Sequence, residues 1–281
     1  MNAKKDINLD KKTVEGFGEE WTKFDQSNLD PEERENIFNQ YFSIFPWERI
    51  SDSSEGFDLG CGSGRWAISV ASRVGSLHCI DPSNALEIAK RNLSNLDNCV
   101  FHKDSVDSLS LSDNSMDFGY SLGVLHHIPD TQDGINKCVA KLKPNAPFLV
   151  YLYYNFDNRP FWFKLLWSIS DILRKVISRL PFKMKSLVCN LIALFIYYPL
   201  SRFSYLLSQL SINTHSLPLS EYKDKSFYTM QTDALDRFGT QLEKRYSKKD
   251  IEEMLIKAGL EKIVFRDSAP FWCALGYKVV R

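Results

Sequence analysis

No two cysteines in this sequence stand at C-x-x-C spacing. Cys61, Cys79, Cys99, Cys138, Cys189 and Cys273 follow no regular interval, so neither a zinc site nor a disulfide framework is expected. Reduced thiols are the expected state, and no metal is assigned. The first residues, MNAKKDINLDKK, hold no apolar stretch of the kind a secretory signal needs, so export is not expected and the cytoplasm is the expected location. Residues 186–201 are apolar and uncharged but end beside Pro199, a run shorter than the ~20 residues of a membrane span. Net charge is absent too: 35 Lys and Arg balance 35 Asp and Glu, which argues against nucleic acid as a partner.

What is present is an ordinary globular composition of 281 residues, 44% hydrophobic and 25% charged, enough to bury a full core. The zero balance hides a gradient. Residues 1–60 carry 7 basic and 14 acidic side chains, residues 61–154 carry 8 and 9, and residues 155–281 carry 20 and 12. The entry of the chain is therefore acidic and its last third basic.

Between Glu55 and Tyr154, short apolar runs (GFDLG, SLHCID, CVFHKD, MDFGYSLGV, APFLVYLYY) alternate with amphipathic segments over residues 65–74, 83–93 and 130–142. Alternation of this kind means β-α-β units and a parallel sheet. Aromatic and acidic residues 13–47 read as one or two helices, with Asp30-Pro31 as a helix start. After Asn155 the alternation stops, and residues 161–210 read as helices broken at Pro181 and Pro199. It returns at Ser247, where Ser247 and Asp250 resemble a capping box and Gly259 a stop, followed by strands over 262–266 and 271–280. The expected layout is an N-terminal helical lid (1–50), an α/β core (51–154), a helical insertion (155–240), and a C-terminal helix and strands that complete the core sheet (241–281).

The segment Asp58-Leu59-Gly60-Cys61-Gly62-Ser63-Gly64 closes the first apolar run. Glycines let the backbone turn tightly and approach a ligand. Its G-x-G-x-G spacing, with an acid before the first glycine, differs from the dinucleotide fingerprint G-x-G-x-x-G. Asp58 sits badly against a pyrophosphate but suits a ligand that presents an amine. Asp81, at the end of the second run, can accept both hydroxyls of a ribose, and Asp104-Ser105, at the end of the third, can meet an adenine edge. A ligand-free β-α turn is the plain alternative.

D-L-G-C-G-S-G at a strand end resembles the class I S-adenosylmethionine-dependent methyltransferases, in the small-molecule group similar to the ubiquinone and menaquinone methylases. The likeness is firm over 55–154 and looser over 247–280. It implies a Rossmann-like, seven-stranded, mostly parallel sheet with helices on both faces and a helical cap inserted after the fifth strand. It implies S-adenosylmethionine as methyl donor and S-adenosylhomocysteine as product. By the same resemblance, Asp58 lies near the methionine amine, Gly60, Cys61, Gly62 and Gly64 under the methionine and ribose, Asp81-Pro82 at the ribose, and Asp104-Ser105 at the adenine. Ser121 and Leu122 open the segment, running on to His126 and His127, that lies beside the transferring methyl. Lys143-Pro144-Asn145-Ala146 departs from the Lys-Pro-Gly-Gly turn of such enzymes, which puts the geometry of that turn in question.

A small-molecule acceptor is expected, a hydroxyl of a sugar, lipid-linked molecule or other secondary metabolite first, with a thiol or amine as the alternative. A binding module that keeps the fold without catalysis is the reading from another class. His126 is the candidate base, since an imidazole takes a proton near neutral pH; packing or capping of the next helix is its plain alternative. Phe17 and Trp21 are expected to close the cofactor pocket, and Trp162, Tyr228, Arg237 and Arg245 to line the acceptor site. Residues 159–185 carry seven basic side chains against Asp171 alone, beside the apolar 186–201. That pattern fits peripheral contact with an anionic membrane at its inner face, with a pocket cap or a homodimer contact as the alternatives.

Overall fold

The computed structural model describes residues 7–214 and 217–280. In the first of two compact units, which runs through Asp25, over 35–155 and from Leu242 onward, seven strands form one sheet. They are β1 (Glu55–Leu59), β2 (Ser76–Ile80), β3 (Cys99–His102), β4 (Phe118–Leu122), β5 (Pro147–Tyr151), β6 (Leu260–Phe265) and β7 (Cys273–Lys278), in the order β3-β2-β1-β4-β5-β7-β6. The first five run parallel, and β7 lies antiparallel to both β5 and β6. The order reverses between β1 and β4, the switch point outside which open α/β sheets place ligands.

The helices are α1 (Lys11–Lys23), α2 (Pro31–Tyr41), α3 (Ala67–Ala71), α4 (Ala85–Asn92), α5 (Thr131–Lys141), α6 (Phe161–Ile177), α7 (Phe182–Ile192), α8 (Tyr198–Gln209), α9 (Phe227–Gly239) and α10 (Lys248–Lys257). Alternate strand residues feed two core layers. Leu77, Cys79, Phe118 and Tyr120 join Phe38, Phe42 and Val70 on one face. Phe57, Leu59, Phe148 and Val150 join Ile135, Ile251 and Leu255 on the other. At the β1/β4 seam two aromatic rings occupy the space of two glycines: a Cβ at Gly56 would stand 2.3 Å from the Phe118 ring, and one at Gly119 would stand 2.3 Å from the Phe57 ring. Strand interiors seldom spend glycine without such a close approach.

The expected capping box forms at α10, with the Ser247 side chain accepting from the Asp250 amide while the Asp250 carboxylate accepts from the Ser247 amide. Asn145 answers the question raised by its turn, taking the left-handed conformation at φ 63° that a glycine would supply. Two expectations are corrected. The helix over 65–74 is only Ala67–Ala71, because Ser72 turns its hydroxyl onto the Ser69 carbonyl and the helix ends there. Pro199 does not break its helix. A π turn over Ala193–Tyr197 precedes it, so that one helix runs from Phe182 to Gln209 and, by length and composition, is long enough to cross a membrane.

The second unit holds residues 26–34 and 156–241, and so contains α6 to α9. Within it α7 packs on α9, and so does the π turn.

Candidate functional site

The loop after β1 is shaped by backbone bonds and by three glycines in left-handed conformations, Gly60, Gly62 and Gly64. The Gly60 and Cys61 amides both donate to the Ile80 carbonyl, at 2.7 and 3.1 Å. At Gly60 the space of a side chain is taken by Val124, whose methyl would lie 2.4 Å from a Cβ there. Any larger residue would be strained twice, by its φ and by the neighbour. The Asp81 carboxylate fastens the loop, accepting from the Gly62 amide at 2.9 Å and from the Ser83 amide and hydroxyl at 2.8 and 2.6 Å. Burial raises the Asp81 pKa, and these bonds hold it down.

Asp58 is the unusual group. It is 1% exposed, in register with Cys79 and Tyr120 on the apolar face of the sheet, and neither carboxylate oxygen has a protein hydrogen-bond donor. Burial pushes its pKa up to about 8 and the Asp81 charge adds to the rise. The Tyr120 hydroxyl beside it acts the other way without completing a hydrogen bond. Buried carboxylates without partners are costly, and a cationic ligand group would satisfy this one.

Helix α1 crosses the loops that follow β1, β2 and β4. A Cβ at Gly62 would stand 3.0 Å from the Trp21 indole nitrogen. Gly18 approaches the Asn84 amide, where a Cβ would stand at 3.4 Å, and the Phe17 ring lies 5.0 Å from that of His127. Both ends of α1 are tied down. Asn8, 2% exposed, donates to Asp107 at 2.7 and 2.9 Å and to Asp133 at 2.7 Å, and accepts from the Asp130 amide at 2.9 Å. Beyond the other end, Asn92 of α4 donates to the carbonyls of Asp25 and Ser63 at 2.8 and 2.9 Å.

After β4 the chain forms a short 3₁₀ turn, Leu125–His127. The His126 ring is fully buried, 3.9 Å from the Tyr153 ring and 4.0 Å from the His127 ring, and neither of its nitrogens meets a hydrogen-bond partner. Burial holds its pKa well below the ordinary imidazole value, with the charges of His127 and Arg245 acting the same way. Neutral imidazole carries one donor and one acceptor, so both are held without use inside the protein. His126 and His127 do not cap the following helix: Asp130 does, accepting from the Asp133 amide. His127 instead has Nδ1 2.6 Å from the Leu242 carbonyl. Arg245 lies over the Tyr153 ring, anchored to Glu243 at 2.8 Å and to the Tyr154 carbonyl at 3.1 Å.

Other sequence-predicted residues fall as follows. Cys61 is buried and Pro82 half-buried within the two loops just described. Asp104 turns its carboxylate onto the Ser110 amide and hydroxyl, at 2.9 and 2.6 Å, and Ser105 bonds within the same loop. Ser121 donates across the seam to the Leu59 carbonyl at 3.0 Å, and Leu122 is core. Trp162, Tyr228 and Arg237 belong to the second unit. There Trp162 is exposed on α6, the Tyr228 hydroxyl accepts from the Gln26 amide, and Arg237 lies against Asp171 and the Trp167 ring. Sequence reasoning missed Asn8, Tyr120 and Tyr153. Only the two tyrosines left a signal, Tyr120 lying in the apolar run that ends at the switch point and Tyr153 in the run after it.

The fold is the Rossmann-like, seven-stranded, mostly parallel sheet expected from the sequence. Residues 57–145 match the methyltransferase domain family. That match lies inside the stretch whose motifs resemble the class I S-adenosylmethionine-dependent methyltransferases, and it supports the resemblance. Over 147 residues it is 31% identical to phosphoethanolamine N-methyltransferase 2 of Caenorhabditis elegans, covering 46% of this chain and 34% of that protein. The chain thus spans about a third of the length of this curated relative. Among solved structures, an S-adenosylmethionine-dependent methyltransferase of Methanosarcina mazei is similar, with TM-score 0.50 and 15% identity over 83% of this chain and 96% of that one. A Bordetella parapertussis protein gives TM-score 0.53 and 13% identity over 96% and 81%. At these identities the likeness is one of fold. None of these matches singles out the ubiquinone and menaquinone methylase group.

Proposed function

We propose that this protein transfers a methyl group from S-adenosylmethionine to a small-molecule acceptor at the C-terminal edge of β1, β2 and β4. The observation that carries this reading is the pair of partnerless carboxylate oxygens on Asp58, buried beside a glycine loop and under a helix. An α-ammonium group supplies the charge and the donors that Asp58 lacks. Gly60, Gly62 and Gly64 add no side chain of their own between the loop and a ligand, Asp81 and Pro82 are assigned to the ribose, and Asp104 and Ser105 to the adenine end. When bound, S-adenosylmethionine supplies an electrophilic methyl on a sulfonium sulfur. Phe17 and Trp21 exclude water from above.

His126 is the group we assign to the acceptor's proton. Its lowered pKa keeps it in the basic form across the physiological range, as a weaker base than a free imidazole. Tyr153 and the anchored Arg245 guanidinium hold the ring in place and give the acceptor a polar wall. A proton-bearing nucleophile, hydroxyl or amine, fits this arrangement. An amine nitrogen draws added support from the name of the curated relative, a phosphoethanolamine N-methyltransferase. The test is S-adenosylhomocysteine release across a panel of amines and alcohols, with thiols as the comparison. Turnover with none of them, together with no S-adenosylmethionine binding by calorimetry, would overturn the reading; binding without turnover would make the protein a binding module.

A further inference from the structure

The helical unit has its amphipathic pattern turned inside out. On α6 the inward positions are largely polar, with Ile177 the buried apolar residue among them. Arg174, 5% exposed, donates to Asp171 at 2.7 Å and to the Thr240 carbonyl at 2.8 Å, and Ser170 and Ser178 are also turned from solvent. Leu165, Ile169, Ile172, Leu173 and Val176, at helical spacing, face outward, with Ile172 63% exposed. The long helix from Phe182 to Gln209 repeats the inversion. Lys185, Ser186, Cys189, Ala193, Ser201 and Ser204 face inward, whereas Leu187, Leu191, Leu194 and Phe195 are exposed, Phe195 to 70%. Scattered surface leucines need no explanation, but two helices that both pack on α9 and both turn a row of large apolar side chains to solvent do.

Charge says what covers it. No Asp or Glu stands between Asp171 and Glu221, and Lys164, Lys175, Arg179 and Lys183 are exposed on α6, the following turn and α7. A second copy of the chain would bring these cations against their own counterparts, which costs like-charge repulsion. A bilayer with anionic headgroups meets both features at once, apolar faces sinking to the acyl boundary and long basic side chains reaching the headgroups. Crossing the bilayer is disfavoured by the inward face: Lys185 donates to the Gly239 carbonyl and Ser201 meets Met230, both on α9, and insertion would strip those contacts. We propose that α6 and the helix from Phe182 to Gln209 lie in the plane of an anionic membrane surface and hold the protein there.

This proposal stands apart from the methyl-transfer reading, and either can fail alone. The test is co-sedimentation of the full chain with vesicles of phosphatidylcholine alone or with about a third phosphatidylglycerol, at low and high salt. Binding to the anionic vesicles is expected, weakened by salt. Reversing Lys175, Arg179 and Lys183 to Glu should weaken it by about a hundredfold or more at low salt, since each basic residue near the surface counts separately. The combined change Leu187→Ser, Phe195→Ser and Leu206→Ser should abolish it. Unchanged circular dichroism certifies that each variant folds, and the salt titration of the unaltered protein tests the charge argument without any variant. No binding to anionic vesicles, equal binding to neutral ones, binding unaffected by the charge reversals, or retention in membranes after alkaline carbonate extraction would each overturn the proposal. So would a dimer in solution that the serine variant splits while vesicle binding persists.

Discussion

With Asp58 as the proposed partner of the α-ammonium group, binding of S-adenosylmethionine is expected to release a proton. Its pKa of about 8 in the free protein means that near pH 7 it holds a proton about nine-tenths of the time. An α-amino group, with an ordinary pKa also near 8, is protonated to about the same extent. The complex needs one carboxylate and one ammonium, and so keeps one proton between them. About 0.8 proton should therefore leave for each molecule bound at pH 7, and affinity should fall by up to about tenfold for each pH unit below 8. Isothermal calorimetry in buffers of different ionisation enthalpy reads the proton count directly. Asp58→Asn should erase the release and weaken binding by about a hundredfold or more, as loss of a buried ion-pair partner does. The sign is checked by stability. A carboxyl raised in the folded state contributes stability that is fully present below the unfolded pKa of 3.8 and is lost as pH rises towards 8. The ligand-free protein should thus lose stability over that window, and the Asn variant should lose less. Binding with no buffer dependence at pH 7 would refute the reasoning, because it would mean that Asp58 is ionised before the ligand arrives.

His126→Ala should lower kcat by about a hundredfold or more if the ring takes the acceptor's proton; a loss below about threefold in steady-state assays would retire that role. Its lowered pKa has the opposite stability sign to Asp58: as pH falls through about 6.5 the unfolded chain takes up a proton that buried His126 refuses. Acid unfolding should begin in that range, and less so in the Ala variant. Asn8→Ala leaves Asp107, Asp133 and the Asp130 amide each short of a partner, so thermal unfolding should report a loss of about 1–3 kcal/mol. Weaker S-adenosylmethionine binding should accompany it as α1 loosens. Gly119→Ala forces a methyl into the Phe57 ring and should cost about 1–3 kcal/mol in chemical denaturation.

Period and punctuation carried the fold. Short apolar runs, separated by amphipathic segments, dictate β-α-β units whatever else surrounds them, and the capping residues Ser247 and Asp250 work through neighbours three positions away. The glycine loop was legible for the same reason: left-handed backbone at Gly60, Gly62 and Gly64 is a local demand that only a few residue types meet. The helix boundaries were less so. Pro199 breaks an α-helix by every local rule, yet a π turn stands ahead of it and the helix runs on to Gln209.

Tertiary structure alone decided which of the acids stay free. Asp58, Asp81 and Asp104 read alike as strand-end carboxylates, but Asp81 is spent on Gly62 and Ser83, Asp104 on Ser110, and only Asp58 is left buried without a donor. The partners of a side chain come from strands and loops far away in sequence, so no local pattern records them. The same holds for His126, whose isolation depends on Tyr153 and Arg245, and for the helical unit. Its sequence gives apolar and basic residues in helical order, but the turning of the polar side inward is a property of packing, settled by which face finds α9.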